Sequence, residues 1–198
     1  MIEIYSEFNS NFEQNGDMTL FPISCQIEAN LNSEWILTLE HPIDELGRYK
    51  YIQSGSVLKV TSFNGKQLFR VYAVERTNDS VVAEAQPIFM DAMNEVFIVD
   101  KRPTNKNGQE TLNYLLDGTK YSAESNILNL NTAYYINKNL LEAINGDDEN
   151  SFINRWGGEI IFDNYKIIIN NHAGRDKGVL IKYGKNLVGI NEQVNRSD

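Results

Sequence analysis

Residues 155–187, RWGGEIIFDNYKIIINNHAGRDKGVLIKYGKNL, decide how this chain is read. Two apolar runs, Glu159–Phe162 and Lys166–Asn170, flank Asp163-Asn164, a pair that tolerates the positive φ of a tight hairpin turn. Gly157-Gly158 stops the helix before the hairpin, and Gly174 ends the excursion after it. A third β-rich run, Gly178–Tyr183, closes on Gly184-Lys185-Asn186-Leu187. The stretch is a pattern of turns and strands, and it contains no catalytic motif.

Outward from this hairpin, the preceding segment reads as helices. Leu112, Leu115 and Leu116 share one face of a predicted helix over 107–116, and Gly118 suits its C′ position. A second helix is predicted over 137–144, with Leu140, Leu141 and Ile144 inward and Gly146 at its end. A third is predicted to start at Asp147 or Asp148, with Glu149 in its first turn, Arg155 in its last, and Phe152, Ile153 and Trp156 as its stripe. The hairpin at 159–170 should pack on these helices as a small α/β layer.

The first hundred residues read as strands. From Phe21 to Leu31 apolar and polar residues alternate, as in a half-buried antiparallel strand. Trp35, Leu37 and Leu39 repeat the pattern until His41-Pro42, where proline lacks a ladder donor. The runs 56–63 and 67–75 flank Asn64-Gly65, a strong hairpin signal. Ser80–Gln86 follows the Thr77-Asn78-Asp79 turn. Short antiparallel strands joined by tight turns predict a small barrel or sandwich.

The 198 residues hold 41% hydrophobic and 23% charged residues, the composition of an ordinary globular protein. A net charge of −9 argues against a phosphate-binding surface, because nucleic-acid binders gain affinity through Lys and Arg contacts. It suits solubility, or the wall of a channel along which DNA slides without sticking. No apolar run approaches the ~20 residues of a membrane span, and MIEIYSEFNSN lacks the pattern of a signal peptide. No membrane anchor is expected, and synthesis in a cytoplasm is. The single cysteine, Cys25, excludes an internal disulfide.

The search for chemistry nominates no catalytic, cofactor-binding or metal-binding residue. His41, at a strand end, and His172, in the 170–174 turn, read as exposed turn histidines with no GxSxG or HExxH nearby. Cys25 falls on the apolar side of its strand, where desolvation makes a thiol inert. Asp147-Asp148-Glu149 reads as a helix cap. Asp163 and Asp176 fall near turn glycines, Glu159 alternates outward, and no segment fits a calcium loop. Gly157-Gly158 and Gly184 are too sparse to cradle a phosphate. Tyr49 and Tyr51 are the exposed-looking aromatics of a possible sugar platform.

The 155–187 run is similar, in order and spacing, to the pattern GGE…DN…I…G.D.GV.I.YGKNL of phage and prophage tail proteins often described as tail endopeptidase or minor structural protein. Val81–Val99 resembles that family's strand and turn leading out of its first domain, with Gln86-Pro87-Ile88 in place of a histidine-containing run. Thr111–Tyr121, TLNYLLDGTKY, resembles the helix of its inserted domain.

The resemblance implies an α+β, mainly β chain with three parts. Residues 1–99 would be an antiparallel β-barrel domain of tube type, 100–172 an inserted α/β domain, and 173–198 the first strand of an incomplete second barrel. The chain would then be the N-terminal part of a longer product. It implies a structural, non-enzymatic component of a tail tip in the virion: a baseplate-hub-like homotrimeric ring joining tail tube to host-contacting tip. Its partners would be distal tail or tube proteins and the tape-measure protein, with DNA passing through unbound and no cofactor. The alternatives are a fragment of a peptidoglycan-degrading tail lysin and a carbohydrate-binding attachment module.

Overall fold

The computed structural model describes residues 2–174 and Gly178. The run 178–183 and the expected second-barrel strand at 173–198 lie almost wholly outside the described residues.

Seven strands form one antiparallel sheet: β1 (Ile2–Tyr5), β2 (Met18–Leu20), β3 (Ser24–Ala29), β4 (Trp35–Pro42), β5 (Val57–Ser62), β6 (Gly65–Arg76) and β7 (Ser80–Pro87), in the spatial order β2-β1-β5-β6-β7-β4-β3. The sheet curls into a half-barrel around Ile4, Leu20, Leu37, Leu39, Leu58, Phe69, Val71, Val81, Ala83 and Ala85. A bulge between Val71 and Ala73 tightens its twist. The edges β2 and β3 are consecutive in sequence, and residues 21–23 carry the chain across the seam between them. There the Phe21 N–H donates to His41 Nε2 at 3.4 Å and the Ile23 N–H to the Glu40 carbonyl at 2.7 Å.

His41 is therefore not an exposed turn residue. Strand β4 runs through Pro42, and the ring is 1% exposed beneath the seam. Strand β3 departs from expectation in the other direction. Cys25 and Ile27 only half-bury against the core, and Phe21, Ile23 and Leu31 are exposed. An edge strand has no neighbour to cover its apolar side.

The second unit begins with a short helix, α1 (Ala92–Glu95), and strand β8 (Phe97–Lys101). Helix α2 (Gly108–Leu116) opens on a capping box: Asn107 accepts the Glu110 N–H and Glu110 accepts the Asn107 N–H. It buries Leu112, Leu115 and Leu116, and Gly118 follows at φ 78°. Strand β9 (Ser122–Ser125) and strand β10 (Tyr135–Asn139) come next. The helix predicted over 137–144 starts later, as α3 (Leu140–Asn145). Lys138 and Asn139 instead pair with Ile98 and Phe97 of β8, and Asn139 and Glu142 repeat the capping box.

The third predicted helix is shorter, α4 (Phe152–Trp156), and its cap is Ser151. Asp148 shapes the turn before it, accepting the Asn150 N–H at 2.7 Å. The expected hairpin is present as β11 (Glu159–Asp163) and β12 (Lys166–Asn170), with Asn164 at φ 54°. Strand β12 also pairs in parallel with β9, and the three-stranded sheet packs on the helices through Ile160, Phe162, Ile167 and Ile169. Gly158 is required at the mouth of the hairpin. Its φ is +109°, and a Cβ there would lie 2.8 Å from Ile169 Cγ2 and 2.9 Å from Ile127 Cδ1.

Two asparagines in left-handed turns join the units. Asn32, at φ 51° in the β3–β4 turn, donates through Nδ2 to the Gly158 carbonyl and accepts the Ile160 N–H at Oδ1, both at 2.8 Å. Its own carbonyl accepts from Asn145 Nδ2 at 3.0 Å. Asn164 reaches the other way. Its Oδ1 accepts the Leu68 N–H at 2.9 Å, and its Nδ2 donates to the Lys66 carbonyl at 3.2 Å. Each side chain supplies β-type partners where no strand continues, so backbone groups at the junction are satisfied. Trp35 and Phe89 complete the join by entering the core of the second unit.

Candidate functional site

Most of the ionisable residues flagged by the sequence lie apart in the fold. At His41, Nδ1 lies 2.8 Å from the Pro42 carbonyl. A carbonyl only accepts, so Nδ1 carries the proton and Nε2 is the acceptor that takes the Phe21 N–H. His172 is exposed, 3.6 Å from Glu159. Burial pushes the Cys25 thiol pKa up, which disfavours the reactive thiolate. Asp148 pairs with Lys138 at 3.1 Å, and Asp163 with Lys166 at 3.1 Å. Among the described residues no His, Cys, Asp and Glu groups converge as a metal site. Of the two tyrosines, Tyr49 half-buries against the barrel core, and only Tyr51 is exposed. Asp176 and Gly184 lie outside the described residues.

The geometry concentrates instead on the open face and free edge of the seven-stranded sheet. Alternation places Leu37, Leu39, Ala83 and Ala85 inside, so their neighbours face outward. The register then aligns Ser24 with Glu40 and Gln26 with Thr38. Thr38 meets Glu84, Glu40 meets Val82, and Val82 meets Glu75. Glu28, Glu40, Glu75 and Glu84 thus share one face, spread over four adjacent strands. Strands β3, β4 and β7 contain no lysine or arginine. The Tyr72 hydroxyl donates to Glu84 at 3.1 Å; burial first, then this carboxylate, raises its pKa. These glutamates were missed individually in the sequence, although the alternation within each strand was the signal that could have found them.

Among the described residues the edge of β3 is unpaired, and it has a definite phase. The Asn30 N–H donates to the Glu34 carbonyl, so residues in step with Asn30 bond to β4. Cys25, Ile27 and Ala29, out of step, direct their N–H and C=O groups away from the sheet. Beside this edge lies a shallow apolar groove lined by Ile27, Leu31, Trp35, Phe63 and Ile161. An unpaired edge next to exposed apolar side chains is a template for adding another strand.

Farther along the same open face, opposite Gln86, Arg70 of β6 grips Asp91 through Nε (2.9 Å) and Nη2 (2.7 Å) and donates through Nη1 to the Gly55 carbonyl. Burial works against the guanidinium charge, but the Asp91 bonds outweigh it and its pKa is raised. Next to this pair, Glu95 accepts from Lys120 and from the Tyr121 hydroxyl at 2.7 Å. No helix among the described residues is long and apolar enough to cross a membrane.

Residues 95–169, which include α2, α3, α4 and the hairpin, match the family described as prophage endopeptidase tail domain. No curated protein matches the chain. Among solved structures, the prophage tail protein gp18 of Listeria monocytogenes EGD-e superposes with a TM-score of 0.63 at 16% identity, over 85% of this chain and 50% of that one. The prophage MuSo2 43 kDa tail protein of Shewanella oneidensis gives 0.49 at 10% identity, over 79% and 50%. The E. coli c3393 protein, a type VI secretion component with similarity to T4 tail proteins gp27 and gp5, gives 0.47 at 6%, over 76% and 48%. The chain spans about half the length of these structures. Residues 95–169 thus match the prophage endopeptidase tail domain family, and the fold of the chain is similar to that of the Listeria prophage tail protein.

Proposed function

We propose that this chain is an architectural part of the tail tip, a hub-like ring component in which three copies surround the channel. The observation that carries this reading is the sheet itself: an acidic open face, Glu28, Glu40, Glu75 and Glu84, adjoining a free strand edge. A curved sheet whose edge strands β2 and β3 are unpaired among the described residues joins its neighbours edge to edge, and cyclic symmetry closes the set into a ring. The strands β3, β4 and β7 of this wall bear carboxylates and no lysine or arginine, which disfavours phosphates, so DNA passes without counterion-releasing contacts there. The second unit would face the outside. Distal tail or tube proteins and the tape-measure protein would meet the ring at its two ends, after assembly in the bacterial cytoplasm. The role requires no catalytic residue.

Labelling tests the placement. Antibody raised against residues 95–169, bound to intact tails and viewed by electron microscopy, should decorate one end of the tail. Decoration along the tube would exclude the hub role. A second reading, a fragment of a peptidoglycan-degrading lysin, follows from the endopeptidase description of the matched family. Release of muropeptides from cell walls by the purified chain, abolished by heat, would establish that reading instead.

A further inference from the structure

A groove of about 730 Å³ lies between the two units, at the β3–β4 turn. Met90, Met93 and Leu141 give it an apolar surface, and Met93 is 47% exposed. Its rim carries three carboxylates, Glu34, Glu142 and Asp147, and no lysine or arginine among the described residues lines it. None of the three takes part in an ion pair among the described residues, although Glu142 also caps α3. Methionine side chains are unbranched and polarisable, and they remodel around varied apolar partners. Carboxylates round an apolar trough select for a cationic, amphipathic segment.

We infer that this groove docks a basic amphipathic segment of another protein, with apolar side chains seated on Met90, Met93 and Leu141 and lysines or arginines meeting the rim. Charge complementarity disfavours a second copy as the occupant, because this chain carries a net charge of −9 and its edge strands β2 and β3 hold no cations. The inference rests on the groove alone and stands whether or not the chain forms a ring.

The probe is a synthetic leucine/lysine amphipathic helix, titrated into the whole protein and followed by calorimetry and by methionine methyl NMR. A leucine/glutamate peptide of the same pattern and a lysine peptide without leucine serve as controls. The leucine/lysine peptide should bind, shift the Met90 and Met93 methyl signals, and bind at least tenfold better than either control. Met93→Glu and Asp147→Lys should each weaken binding by about tenfold. Glu84→Lys, on the open sheet face, should change it by less than about twofold. Asp147 is exposed, so its variant keeps the test available if Met93→Glu fails to fold. The inference is overturned if no binding occurs, if the methyl signals stay fixed, if a control peptide binds equally, or if Glu84→Lys weakens binding as much as Asp147→Lys.

Discussion

The Oδ1 of Asn32 accepts the Ile160 N–H at 2.8 Å, across 128 positions of sequence, and so ties a turn of the half-barrel to the first strand of the α/β hairpin. The same amide donates to the Gly158 carbonyl, so one side chain acts as a short length of strand. Asn32→Ala removes both bonds and places a Cβ-bearing residue without side-chain compensation at positive φ. The expected loss is about 2–3 kcal/mol of unfolding free energy in urea titration. Asn32→Gly relieves the backbone but not the bonds, and should recover part of that loss.

Gly158 presents a steric prediction at the same junction. Gly158→Ala drives a methyl group against Ile169 and Ile127 at a φ that side chains rarely adopt. A loss of about 1–3 kcal/mol is expected, from strain together with disturbed packing. An unfolding midpoint equal to wild type would show that the hairpin mouth has room to relax.

Proline separates the two sides of β3. At Ile27 the N–H points to the free edge, so Ile27→Pro leaves the ladder to β4 intact and removes a donor needed for strand addition. At Gln26 the N–H bonds to β4, so Gln26→Pro should destabilise the fold itself. The expected pair of outcomes is a folded Ile27→Pro chain that fails to enter tail particles and a Gln26→Pro chain with a lowered midpoint. Assembly of Ile27→Pro into particles at the wild-type level would rule out pairing along this edge.

Glu95 gives the protein an acid-sensitive contact. Burial raises its carboxyl pKa, but hydrogen bonds from Lys120 and Tyr121 outweigh that and hold it below the ordinary 4.5. A depressed carboxylate stabilises the folded state above its unfolded pKa, and that contribution is lost as pH falls through the folded value. Glu95→Gln should therefore lower Tm near neutral pH, with the gap to wild type closing below about pH 4.5. Side chains here are partly solvated, so the gap should also shrink in high salt.

Local features of this fold could be read from local signals. Asp163-Asn164 marked the 159–170 hairpin, and leucine spacing marked α2, because each depends on a few neighbouring residues. The start of α3 was also available: Asn139 and Glu142 have the same N-x-x-E spacing as Asn107 and Glu110. Apolar periodicity over 137–144 masked it by suggesting a longer helix. His41 was misread because its burial depends on the chain crossing a seam twenty residues earlier. Asn32 looked like any turn residue, since its partners are fixed only once the two units meet. The docking groove drew no attention for the same reason, its methionines and carboxylates coming from four separate segments.

The central claim concerns which way the sheet faces in the particle. A cryo-electron reconstruction of intact tails tests it most directly. The account predicts three copies around the axis, with Glu28, Glu40, Glu75 and Glu84 toward the channel and the edge of β3 at a subunit boundary. A reconstruction with that acidic face on the outer surface, or with β3 bordering solvent in every copy, would contradict it.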